Sequence, residues 1–132
     1  MTLFPTAASF AKTYADGRPQ VVWTELVADL ETPVSAMLKL AAGQRYSFLL
    51  ESVEGGAVRG RYSVLGLDPD IVWRCVGENA EVAHLASGEA GDFQPCGETS
   101  LTALASLIAE TQFSLPDGMP PSAVGLFGYM SY

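Results

Sequence analysis

Tyr46-Ser-Phe-Leu-Leu-Glu-Ser-Val-Glu-Gly-Gly-Ala-Val-Arg-Gly-Arg-Tyr-Ser-Val-Leu-Gly-Leu-Asp-Pro69 is the stretch on which the fold turns. Tyr46 to Val53 is dense in aromatic and aliphatic side chains, Arg61 to Leu67 repeats that character, and Gly55, Gly56 and Gly60 stand between them. Two strands joined by a glycine-rich turn are predicted, because β-branched and aromatic residues suit a pleated surface and glycine takes unusual turn angles without steric cost. Glu51 and Ser52 close the first apolar run, and Arg59 and Arg61 open the second. An acid, a hydroxyl and two guanidinium groups are thus expected near one turn. They match the needs of a free amino acid: a carboxylate for its ammonium, an arginine fork for its carboxylate, and a hydroxyl that serves either. The same residues also read as a solvated cross-strand pair, stabilising a hairpin by at most about 1 kcal/mol.

Before this stretch, Thr32-Pro33 starts a helix, since the hydroxyl can accept an orphan amide and proline at the first position lacks one. Val34, Met37, Leu38, Leu40 and Ala41 share its apolar face, and Gly43 supplies the stop. Earlier still, Thr6 caps a helix over Ala7 to Ala15 that Gly17 ends, and Gln20 to Leu26 reads as a strand with Trp23 in the core. Beyond Pro69, Ile71 to Val76 is predicted as a strand, Gly77 to Asn79 as a turn and Ala80 to Leu85 as the return, with one more short strand before Gly97. Thr99 or Ser100 caps a third helix, whose Leu101, Leu104, Ala105 and Ile108 recur on one face. Leu115 to Ser122 contains three prolines and reads as a loop. Ala123 to Tyr132 carries no charge and three aromatics, and is predicted as a buried strand. Left as an edge, it would be covered by self-association or domain swapping, or would lose order. The fold class is therefore α+β: a largely antiparallel sheet of meander and hairpins with about three helices packed on it, within a single domain spanning 1–132.

A chain of 132 residues should bury roughly two-thirds of its unfolded surface. Fifteen acids against seven Lys and Arg give a net charge of -8, which leaves no basic stripe for phosphates and excludes nucleic-acid binding. Residues 1–10 hold no cation ahead of a short apolar stretch, so they lack the layout of a secretory signal, and no run reaches the length of a membrane span. The expected compartment is the cytosol, with Cys75 and Cys96 as free thiols. His84 has no ligand partners at metal spacing, and no nucleophile motif, phosphate loop or paired-carboxylate frame is present. No cofactor is expected in this chain.

Leu49-Leu50-Glu51-Ser52-Val53-Glu54, with Gly60-Arg61-Tyr62-Ser63-Val64-Leu65-Gly66, resembles the amino-terminal region of the large subunit of anthranilate synthase, component I. Thr32 to Ala36 and Gly125 to Tyr132 also resemble family segments, in the same order, so the likeness covers nearly the whole chain. It implies that Leu50, Glu51, Ser52 and Arg61 belong to a feedback site for L-tryptophan. It also implies that the catalytic half, which takes chorismate and Mg2+, lies beyond Tyr132, making this chain an inactive piece of a larger two-layer enzyme that partners a glutamine amidotransferase subunit. Two alternatives stay open: aminodeoxychorismate synthase component I, and a free-standing ligand-binding or interaction module.

Overall fold

The computed structural model describes residues 1–54, 58–86 and 89–131, with the side chains of 52–54, 58–61 and 89–90 outside the description. The chain divides into two compact units, one of Met1–Asp29 with Ser106–Tyr132 and one of Leu30–Ala105.

In the first unit, α1 covers Ala7–Ala15, as the Thr6 cap predicts. Thr6 is extended and its hydroxyl accepts the Ser9 N–H at 3.3 Å. The predicted strand over Gln20 to Leu26 is reduced to one antiparallel bridge between Phe4 and Trp23, with N–H···O distances of 2.8 Å in both directions. The physical reason lies in the partner: Phe4 and Trp23 are a hydrogen-bonded pair, so the ladder would continue at Thr6 and Thr2. The Thr6 carbonyl, however, already accepts the Phe10 N–H as α1 begins, and the Thr2 carbonyl accepts the Thr24 hydroxyl. The rings of Phe4 and Trp23 stack at 4.7 Å, and Thr24 Oγ1 donates to the Thr2 carbonyl at 2.8 Å. A short 3₁₀ turn, Pro121–Ala123, ends the proline-rich loop. The buried strand expected over Ala123 to Tyr132 does not form among the described residues: Leu126, Tyr129 and Met130 are exposed, Tyr129 by 94%. A strand exists through its ladder, and none of the described strands pairs with this segment.

In the second unit, α2 spans Pro33–Leu40 and opens on a capping box, Ser35 N to Thr32 Oγ1 at 3.0 Å and Thr32 N to Ser35 Oγ at 2.8 Å. β1, Phe48–Glu54, and β2, Val58–Gly66, form a two-stranded antiparallel sheet. β1 starts two residues later than predicted because Tyr46 sits at φ 58, in left-handed backbone that no strand accommodates. β3, Ile71–Val76, and β4, Asn79–Ala86, make a second hairpin, to which the short β5, Glu89–Ala90, and β6, Gln94–Pro95, add by pairing with β4. The strands thus fall into two antiparallel sheets. α3, Ser100–Glu110, runs from one unit's residues into the other's.

The core is smaller than expected. Among the described residues only Ala80, Ala83 and Ala103 are buried, while Leu38 and Leu40 on the predicted apolar face of α2 are exposed. The chain exposes 10575 Å², against about 20,000 Å² for its unfolded form, so it buries about half its surface and not two-thirds.

Candidate functional site

The paired register of the first sheet runs Phe48↔Gly66, Leu49↔Leu65, Leu50↔Val64 and Glu51↔Ser63, then resumes at Val53↔Arg59 and Glu54↔Val58. One residue, Ser52, therefore stands opposite three, Gly60, Arg61 and Tyr62, at an irregularity in the ladder. Such a bulge bends a strand and re-aims the side chains beside it, and it recurs next to binding sites. Of the predicted site residues, Leu50 and Glu51 lie in the regular ladder and are exposed. Ser52 and Arg61 lie within the interruption, with their side chains outside the described residues. The ribbon brings the backbone of positions 52 and 61 across from each other, and the ladder there does not fix the face that either takes. The glycine-rich turn at Gly55 to Ala57 also lies outside the described residues.

Elsewhere in this unit, surface ion pairs join Lys39 with Glu31 and Arg74 with Glu81. Arg74 Nε meets Glu81 Oε2 at 2.8 Å across β3 and β4, and its guanidinium covers the Phe93 ring at 3.6 Å. Cys75 and Cys96 are free and half-buried, as expected, and His84 is exposed on β4. No group of three His, Cys, Asp or Glu fit to hold a metal ion occurs among the described residues, and no described helix is long and apolar enough to cross a membrane.

The first unit holds a feature that motif reading missed. A cleft of about 440 Å³ is walled by the Phe4–Trp23 stack and by Pro5, Pro19 and Pro116, with Ser9, Thr13, Arg18 and Gln20 on its polar side. Gln20 Nε2 donates to the Phe10 carbonyl at 3.1 Å, which fixes the amide, and Oε1 is then buried without a partner. The signal available in the sequence was Arg18-Pro19-Gln20 directly before the Trp23 run, polar groups beside an aromatic one. It could not be read without knowing that Phe4 returns to Trp23.

The fold and these sites define an α+β module of two units, carrying a bulged ribbon in one and an apolar cleft in the other. The chain is 46% identical over 124 residues to an anthranilate synthase component 1 of Cereibacter sphaeroides, covering 94% of this chain and 25% of that protein. It is 40% identical over 129 residues to one of Synechocystis, covering 97% and 24%, and 34% identical over 124 residues to one of Pseudomonas aeruginosa, covering 93% and 24%. No family model and no solved structure matches. The chain spans about a quarter of the length of the curated relatives it matches. Over that quarter it belongs to the anthranilate synthase component 1 family.

Proposed function

We propose that this chain is the amino-terminal regulatory and scaffolding region of an anthranilate synthase component I. In the complete enzyme, chorismate with glutamine or ammonia gives anthranilate and pyruvate on the way to tryptophan. The observation that carries this reading is the 46% identity to a protein of that name, maintained over 94% of the chain. The reaction belongs to the remaining three quarters of the family's length, with Mg2+ and chorismate bound there, a glutamine amidotransferase subunit as partner, and the cytoplasm as compartment.

L-Tryptophan binds at the bulge of the first ribbon, its ammonium facing Glu51, its carboxylate meeting Arg61 and the Ser52 hydroxyl, and Leu50 beside them. Inhibition follows if tryptophan prefers one of two arrangements of the whole enzyme, because a ligand shifts an equilibrium only by its unequal affinity for the two states. The second state requires the rest of the enzyme, and the family resemblance implies further contacts to the inhibitor there, so the isolated chain binds tryptophan weakly or not at all and does not turn over chorismate. The names of the relatives favour this reading over aminodeoxychorismate synthase, and the product made by the full-length enzyme separates the two.

The test is tryptophan inhibition of the full-length parent carrying Ser52→Phe. Loss of inhibition with chorismate turnover retained is the expected result. A variant as sensitive as the unaltered enzyme removes Ser52 from the feedback site.

A further inference from the structure

We infer that the cleft of the first unit is a binding site for a small, flat aromatic anion. It is separate from the ribbon of Glu51, Ser52 and Arg61, and it does not depend on the tryptophan reading. Three observations converge on it. Its volume of about 440 Å³ falls among small-molecule sites, which run from about 300 to 1,000 Å³.

The second observation is a preformed aromatic wall. The Phe4 and Trp23 rings stack at 4.7 Å with 23° between their planes, and reciprocal 2.8 Å backbone hydrogen bonds tie the two residues together. The prolines at positions 5, 19 and 116 stiffen the rim further. An aromatic ring that stacks against such a wall orders little that is not already ordered, which keeps the entropic cost of binding low.

The third is charge. The chain carries fifteen acids and a net charge of -8, yet none of the twelve lining residues is acidic and one, Arg18, is a cation. Arg18 Nη2 touches Asp16 Oδ2 at 3.2 Å in a pair whose Arg side chain is 64% exposed. Exposed pairs of this kind contribute at most about 1 kcal/mol, so a ligand carboxylate can take the guanidinium over, and its other N–H donors remain to hold a second oxygen. Gln20 adds a secondary preference. Its buried Oε1 is an acceptor without a partner, and a ligand N–H or O–H that parts the wall at that point gains a hydrogen bond which the free cleft leaves unmade.

The experiment uses the chain with ¹⁵N labelling and three probes: 2-naphthoate, 6-hydroxy-2-naphthoate and uncharged 2-naphthol. Saturable shifts of the Trp23 indole N–H and of the Arg18 and Gln20 resonances are expected for all three, with both carboxylates binding more tightly than 2-naphthol. Arg18→Gln should weaken the two carboxylates about tenfold and leave 2-naphthol unchanged, the size of one charge-assisted hydrogen bond. The 6-hydroxyl should make 6-hydroxy-2-naphthoate bind more tightly than 2-naphthoate, and Gln20→Leu should abolish that difference, with Arg18→Gln carrying the test if that variant does not fold. The inference is overturned if no probe shifts these residues. It is equally overturned if the shifts centre on the exposed Tyr129 and Met130, or if Arg18→Gln leaves carboxylate affinity unaltered.

Discussion

Glu31 accepts hydrogen bonds from the Lys39 ammonium and from the Ser35 hydroxyl, the latter at 2.7 Å, and these hold its carboxyl below the ordinary value of 4.5. A carboxylate whose folded pKa is depressed stabilises the fold above its unfolded value and loses that contribution as pH falls through the lower, folded one. Lys39→Met should therefore raise the Glu31 titration midpoint toward 4.5, as followed by NMR of its side-chain carboxyl. The stability gap between variant and parent should be present at neutral pH and close under acid. A midpoint that does not move would mean that the pair is not formed in solution. A second expectation concerns Asp68, at φ 49 just after β2. Left-handed backbone costs an ordinary L-residue about 1–2 kcal/mol, and aspartate less because its side chain can bond locally. Asp68→Ala should lower stability by about 1 kcal/mol in urea unfolding and Asp68→Gly should not; equal losses would show that the side chain and not the angle matters. The caps at Thr6 and Thr32 were legible in the sequence because a hydroxyl and its amide lie three residues apart. The angles of Tyr46 and Asp68 were not, since surroundings impose them on residues that do not prefer them.

The same division between local and distant causes governs the elements. α1 and α2 begin at the predicted caps because capping is settled within one turn, and β3 and β4 follow from a short hairpin connection. The segment from Gln20 to Leu26 has good strand composition and still forms no strand, because pairing depends on a partner that turns into α1 at Thr6, two residues past the bridge. Likewise, the apolar composition around Ser52 announced two strands but not the irregularity that puts one residue against three. At the mouth of that ribbon Phe48 faces Gly66, and a Cβ on Gly66 would clash with the edge of the Phe48 ring at Cε1 and Cζ, with Cδ1 2.9 Å away. Gly66→Ala should force the ring aside and cost about 1–3 kcal/mol, the usual penalty for overpacking. Phe48→Ala together with Gly66→Ala should then cost less than the two single losses combined. Strictly additive losses in this double-mutant cycle would show that ring and glycine do not oppose each other in solution.

At the scale of the molecule, the exposed area is the quantity that argues. Two compact units of these lengths, not touching at all, would expose about 8,000 Å², yet this chain exposes 10575 Å². The excess exceeds the roughly 800 Å² per partner that a standard protein interface covers. Large apolar side chains contribute to it: Leu30 is 97% exposed, and Val27, Leu38, Tyr129 and Met130 stand out with it. Surface of this kind is driven together by the release of water, while the net charge of -8 pushes copies apart. The two forces respond oppositely to salt, because added ions screen the repulsion and leave apolar attraction in place. Sedimentation of the chain should therefore give a mass above the 14.0 kDa monomer that rises with concentration, and rises further between low and high ionic strength. Removing apolar surface with Tyr129→Ser and Met130→Ser should lower that mass at fixed salt. A steady 14.0 kDa under all conditions would mean that the exposed apolar groups find cover within the chain, and a mass that falls with salt would mean that ion pairs hold the copies together.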